Sequence, residues 1–189
     1  MKKYLLTTAI ILTTFSSNAT EYKPYVGAEY QFIDADLTTA NGINYNDYYA
    51  NKYHAIAPYA GVRIDNYLGL EVGFSRSLEE TKTSNISTID TLITAYTVDA
   101  LGYLPLDANK KVELVGSFGV GQYQVEYKAS ANNTTINGDM DTTALRLGLG
   151  TQYNINNKFN IRAMVRYADL NLDTVSSATS YSIGTAYTF

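Results

Sequence analysis

From Tyr22 onward, apolar residues alternate with small or polar ones, the period of two that puts one set of side chains on each face of a strand. Leu68, Leu70, Val72 and Phe74 share one face of their segment, and Gly69, Glu71 and Gly73 share the other. Leu145, Leu147, Leu149 and Tyr153 oppose Ala144, Arg146, Gly148, Gly150 and Gln152. Phe159, Ile161, Ala163, Val165 and Tyr167 oppose Asn160, Arg162, Met164 and Arg166. Tyr181, Ile183, Tyr187 and Phe189 oppose Ser180, Ser182, Gly184 and Ala186. Apolar residues at helical spacing are missing, and the pattern predicts eight strands, at roughly 22–33, 53–64, 67–78, 91–104, 112–127, 141–153, 159–169 and 179–189.

The connections alternate in length. Asp65-Asn66, 105–111 and 155–158 are short, and Asp65-Asn66 is a tight-turn signal. The segments 34–52, 79–90, 128–140 and 170–178 are long and polar, with Asn-Gly turn chemistry at 41–42 and 137–138. Short turns on one side and long loops on the other predict an all-β fold, an eight-stranded antiparallel up-and-down transmembrane β-barrel. An even strand number puts both termini on the short-turn, periplasmic side. Two positions interrupt the pattern. Pro58 lacks an N–H inside a strand and points to a bulge or distortion. Near Gly121 the apolar parity switches, which signals a second bulge or the membrane boundary.

The polar face is dominated by Gly, Ala and Ser, small enough for the cramped interior of a barrel of about eight strands. Glu29, Glu71, Asp99 and Glu113 fall on that face, as do Arg63, Arg146, Arg162 and Arg166. Four acids and four bases from seven strands predict a network of interior carboxylate–guanidinium pairs, because an unpaired buried charge costs several kcal/mol. Such a network is either a plug of mutually satisfied side chains or a selective path for small ions. Tyr22, Tyr25, Tyr67, Tyr103, Tyr153 and Tyr187 lie near strand ends, where amphipathic rings suit a membrane interface.

Composition narrows the picture. A chain of 189 residues needs one domain only. The absence of cysteine excludes disulfides, thiolate catalysis and Cys-ligated metal. Residues 1–19 run from two lysines through a short apolar stretch to small residues ending at Ala19, the order of a cleavable export signal. The domain organisation expected is therefore a signal peptide over 1–19 and a barrel over 20–189. Without Lys2 and Lys3, 12 basic residues face 18 acidic ones, a formal −6 that argues against nucleic acid as a partner.

No catalytic constellation stands out, and no cofactor or metal is expected. The single histidine, His54, has the parity of Ile56 and Val62, on the lipid side and away from Glu71. The segment 34–52 mixes Asn and Asp with several Tyr, a composition suited to surface contacts.

Taken together, the segments 25–32 (YVGAEYQF), 67–74 (YLGLEVGF), 116–121 (GSFGVG) and 146–153 (RLGLGTQY), with a final aromatic-x-Phe, resemble the small outer-membrane barrels. That family includes the OmpA transmembrane domain, OmpX and the opacity-type surface proteins. The resemblance covers the mature chain and implies an eight-stranded barrel in the Gram-negative outer membrane. It also implies that Tyr181, Ile183, Tyr187 and Phe189 form a terminal signal read by the barrel-assembly machinery. OmpA continues into a peptidoglycan-binding domain where this chain has Phe189, so cell-wall tethering is not expected.

The function expected is non-enzymatic: a barrel with a side-chain-filled lumen that supports membrane integrity and surface interaction or adhesion. Its partners would be outer-membrane lipid and lipopolysaccharide, the assembly machinery, and host surface molecules met through 34–52, 79–90, 128–140 and 170–178. The alternatives are a narrow porin or small-solute channel and a soluble exported binding barrel.

Overall fold

In a computed structural model, the structure describes residues 22–37, 39–40, 43–44, 50–83, 88–131, 134–170, 172 and 175–189. The expected signal peptide and Asn41-Gly42 lie outside the described residues. Eight long strands form the wall: β1 (Tyr22–Leu37), β4 (Lys52–Ile64), β5 (Leu68–Ser77), β7 (Thr88–Pro105), β8 (Val112–Ala131), β9 (Thr134–Asn154), β10 (Phe159–Asp169) and β11 (Val175–Thr188). Three short strands accompany them: β2 (Thr39–Ala40), β3 (Ile43–Asn44) and β6 (Glu80–Thr83). The sheet runs β5-β4-β1-β11-β10-β9-β8-β7, and the pairing of β5 with β7 closes it into a ring. β6 continues beyond β5 along β7. Closure leaves no unpaired strand edge at the level of the membrane, where an exposed backbone group would find no water.

The outward face is apolar through the middle of the ring. Leu145, Leu147 and Leu149 are 59%, 58% and 59% exposed, and Leu68, Leu70, Val72, Phe118, Val120, Ile161, Val165 and Ile183 continue the belt around the wall. A soluble barrel would turn these side chains inward, since a water-exposed apolar band of this extent is unfavourable. On β8 the belt runs from Val112 to Val120, roughly 20 Å of membrane depth for tilted strands.

Local chemistry sets the turns between wall strands. Asp65, at φ 54°, sits in the left-handed region in the tight turn before β5. Asp107 accepts from Asn109 N at 3.2 Å and Val112 N at 2.8 Å, fixing the turn into β8. Asn156 Oδ1 accepts from Lys158 N and Phe159 N at 2.8 and 2.9 Å, fixing the turn into β10.

At both interruptions of the pattern the structure selects one of the two alternatives, and in neither is it a bulge. Pro58 gives the local distortion and not the bulge: it stays in register opposite Ala28 of β1. The ladder with β5 lapses at Ala57 and Pro58 and resumes at Tyr59 opposite Gly73 in unchanged register. A missing N–H removes a bond without shifting the strand. β8 is likewise unbroken through Gly121, paired with Thr97 on one side and Ala144 on the other. The apolar parity switches there because β8 leaves the bilayer: Gln122, Gln124 and Glu126 still point outward, but into water.

The segment 128–140 is not a long loop. β8 and β9 stay paired up to Ala131 opposite Thr134, and Asn137-Gly138 lies inside β9 rather than in a turn. Part of 79–90 is β6 paired with β7, and β11 begins at Val175 inside 170–178. Above the bilayer a strand needs no apolar face, so the hydrophobic period fades while backbone pairing and Thr-rich β propensity persist.

Candidate functional site

Alternation along every wall strand delivers the eight expected charges to the interior, and the shear of the barrel stacks them in layers. Nearest the short turns, Arg63 of β4 reaches across to Glu113 of β8, with Nη2–Oε1 at 2.6 Å and Nη1–Oε2 at 2.8 Å. Glu113 also accepts from Asn154 at 3.0 Å and Gln152 at 3.3 Å. The Arg63 guanidinium lies 4.1 Å from the centre of the Tyr103 ring.

At mid-lumen, Arg162 of β10 donates to both oxygens of Glu71 of β5, at 2.8 and 3.0 Å. Tyr25 OH donates to Glu71 Oε2 at 2.9 Å, and the Tyr59 ring lies under the guanidinium at 4.5 Å. Four residues further along β10, Arg166 donates to Glu29 of β1 at 2.7 and 3.3 Å and to Ser182 at 3.0 Å. Arg162 Nη2 is also 3.7 Å from Glu29, so the two forks join into one chain of charges. Gln31 donates to Glu29 at 2.7 Å and accepts from Ser75 at 3.1 Å.

The fourth pair is looser. Arg146 Nε of β9 lies 3.1 Å from Asp99 Oδ1 of β7, but neither atom is aligned for a hydrogen bond. Asp99 is the direct cross-strand neighbour of Glu71. Like charges opposite one another repel, and here each is neutralised by an arginine: Glu71 by Arg162 from across the ring, and Asp99 by Arg146 from two strands away in the same cross-strand row, through Gly119 of β8. All eight charges are thus drawn into pairs, with bases on β4, β9 and β10 and acids on β1, β5, β7 and β8.

Tyr25 and Tyr103 belong to this interior and not to the interface: both are buried, because odd positions of β1 and β7 face the lumen. Tyr22, Tyr67 and Tyr153 do lie exposed on the short-turn rim. Tyr30, Tyr96, Tyr167 and Tyr181 face outward nearer the other rim. His54 also faces outward, hydrogen-bonded through Nδ1 to Tyr30 OH and stacked on that ring at 5.8 Å. It is on the other side of the wall from Glu71.

The inward tyrosines carry a sequence signal that parity alone did not exploit. Tyr25-Val26-Gly27 and Tyr59-Ala60-Gly61 are two Tyr-x-Gly triplets on neighbouring strands, paired in opposite sense as Tyr25 with Gly61 and Gly27 with Tyr59. A Cβ on Gly61 would come within 2.5 Å of the Tyr25 ring, and one on Gly27 within 2.4 Å of the Tyr59 ring. Each glycine makes room for the ring opposite it.

Two spaces flank the charged layer. A vestibule of about 600 Å³ opens at the short-turn end among Lys23, Arg63, Lys110, Asn154 and Lys158. A chamber of about 70 Å³ lies at the other end, walled by Ile33, Ala35, Tyr53, Ile93, Val125 and Leu170 over a floor that includes Glu29 and Arg166.

Residues 5–189 match the family model for the outer membrane protein beta-barrel domain. The chain belongs to this family. Among solved structures, this outer-membrane barrel is similar to Ail, the attachment invasion locus protein of Yersinia pestis, at 19% identity and TM-score 0.57 over 89% of this chain and 97% of Ail. It is similar to Neisserial surface protein A at 17% identity and TM-score 0.63, over 88% and 97%. It is similar to OprG of Pseudomonas aeruginosa at 15% identity and TM-score 0.65, over 90% and 97%. At these identities the likeness is one of fold. No curated protein sequence matches the chain.

Proposed function

We propose that this outer-membrane barrel is non-enzymatic, that its interior charges seal the lumen, and that its extracellular half makes surface contacts. The observation that carries the reading is the Glu71–Arg162–Glu29–Arg166 chain, which spans the lumen between the vestibule and the chamber. Every carboxylate in it already has a guanidinium partner, so a passing ion gains nothing that the wall does not already hold, and it would have to part at least one buried pair. In planar bilayers the purified protein should carry no steady current, and Arg162→Ala should produce discrete openings. Steady currents from the unaltered protein would establish the narrow channel instead.

The proposal extends to biogenesis and orientation. Residues 1–19 act as the export signal, and the short turns and both termini face the periplasm. Lipid and lipopolysaccharide surround the belt. Tyr181, Ile183, Tyr187 and Phe189 point to one face of β11, and Phe189 N donates to Pro24 O of β1 at 3.0 Å. That row is offered as the signal read by the assembly machinery, at the seam that must close last. One structure of Ail holds the heparin analogue sucrose octasulfate. A polyanion is a poor match for this chain, whose exposed Asp and Glu side chains on the long-loop side outnumber its Lys and Arg among the described residues.

A further inference from the structure

The short-turn end gathers the lysines. Of the seven lysines after residue 19, four line the vestibule. Lys23 belongs to β1, Lys110 and Lys111 to the turn before β8, and Lys158 to the turn before β10. Among the described residues Glu113 is the one acidic side chain in that lining, and Arg63 already holds it. Asp107, in the same turn as Lys110, is committed to the N–H groups of Asn109 and Val112. Lys110, Lys111 and Lys158 are exposed, and none makes an ion pair or an amine hydrogen bond among the described residues. Lys158 Nζ stands 5.9 Å from the centre of the outward Tyr187 ring, at the lipid-facing edge of the mouth. The space they border, about 600 Å³, falls within the roughly 300–1,000 Å³ of small-molecule sites.

The backbone supplies a second observation. Lys110 sits at φ 54°, in the left-handed region. Its N–H donates to Asp107 O at 3.0 Å, and its C=O accepts from Asn154 Nδ2 at 2.7 Å, so both sides of the residue are pinned there. Glycine would take this conformation without the clash that a Cβ brings. A lysine at this corner keeps an ammonium group beside the vestibule at a cost in backbone strain, which is how strain marks functional positions.

The donor set selects among anions. A planar carboxylate is best met by a guanidinium fork, but both arginines of the lining, Arg63 and Arg162, are already forked onto Glu113 and Glu71. What remains is ammonium groups and amides: Asn66, Asn109 and Asn157 line the same wall, and their side chains make no hydrogen bond among the described residues. Point donors from several directions suit tetrahedral phosphate. One phosphate cannot meet lysines spread from β1 round the ring to the turn before β8. We propose that the vestibule binds a ligand carrying two or more phosphate groups, held by Lys23, Lys110, Lys111 and Lys158 and by the amides between them. Its source is either a soluble polyphosphate or a phospholipid headgroup of the leaflet around the short turns. The long-loop side, where acidic side chains outnumber basic ones, offers no equivalent. The inference goes beyond the sealed-lumen reading and holds whether or not the lumen conducts.

The test uses the full chain refolded in detergent micelles, with inorganic tripolyphosphate as probe and isothermal titration calorimetry as readout. Butanetetracarboxylate, of similar charge, should bind about tenfold more weakly. Lys110→Gln with Lys111→Gln should weaken tripolyphosphate binding about tenfold, and these exposed positions should leave heat-modifiable gel migration unchanged. Lys82→Gln with Lys128→Gln removes the same charge on the long-loop side and should leave binding as it was. Lys110→Gly should weaken binding while holding or raising the urea midpoint, whereas a lysine kept for the turn alone would do the reverse. In nanodiscs, displacement of the probe by cardiolipin beyond that by charge-matched phosphatidylglycerol assigns the site to a lipid headgroup, and equal affinity in both discs assigns it to a soluble ligand. Absence of tripolyphosphate binding, equal binding of the two anions, or equal losses from the two lysine pairs would overturn the inference.

Discussion

Arg162 is the most informative side chain to remove. It is 2% exposed, bidentate to Glu71, 3.7 Å from Glu29 and stacked on Tyr59. Its charge centre lies about 4 Å from that of Glu71, so at an effective dielectric near 20 their attraction is about 4 kcal/mol. Arg162→Met keeps much of the volume but strands Glu71, with Tyr25 as its remaining donor, beside Asp99 on the next strand. Breaking a buried pair on one side costs about 3–5 kcal/mol, and the like-charged neighbour places this site toward the upper end. Removing both partners in Arg162→Met with Glu71→Gln should cost far less than the sum of the single changes, leaving a coupling of at least about 2 kcal/mol. Urea titration in lipid vesicles, read by the gel shift between folded and boiled protein, gives the three free energies. A cost below about 1 kcal/mol for Arg162→Met, or additivity of the two changes, would refute the interior network as a source of stability.

Three further outcomes follow from the same geometry. Gly61→Val should overpack the Tyr25 ring and cost about 1–3 kcal/mol in the same titration, whereas Gly102→Ala, where a Cβ meets nothing within 4 Å, should be nearly silent. Leu147→Arg on the lipid face should cost about 2–4 kcal/mol, and Gln124→Arg above the belt close to nothing, so equal costs would misplace the membrane boundary. Deleting Phe189, or appending a charged tail to it, should lower the yield of folded protein in the outer membrane far more than equal changes within 170–178. Equal yields would dismiss the terminal row as an assembly signal.

The wall was legible because lipid and lumen impose opposite demands on alternate residues, so Leu145, Leu147 and Leu149 could be told from Arg146, Gly148 and Gly150 by parity alone. The same rule brought all eight charges to the interior, and charge balance implied that they pair. Which acid meets which base was not legible, since partners such as Arg162 and Glu71 lie 91 residues apart and are matched by the shear of the closed ring. Parity was overridden where position was judged by proximity to a strand end: Tyr25 and Tyr103 are near the rim, yet as odd positions of β1 and β7 they face inward. It also fell silent outside the bilayer, where 128–140 lost its apolar period but kept its pairing. Asn137-Gly138 reads as a turn in isolation, and the Tyr127 ring above Gly138 gives the glycine a different role within a strand.

The barrel depends on β11 closing against β1, and the absence of native cysteine makes that seam directly measurable. Val26 and Tyr187 are outward-facing cross-strand partners, a separation that a disulfide spans. In outer-membrane fractions from intact cells, Val26→Cys with Tyr187→Cys should oxidise to an intramolecular cross-link. Val26→Cys with Tyr181→Cys, displaced by roughly 20 Å along the strand, should not. Equal cross-linking of both pairs, or of neither under the same oxidant, would contradict a closed barrel in this register.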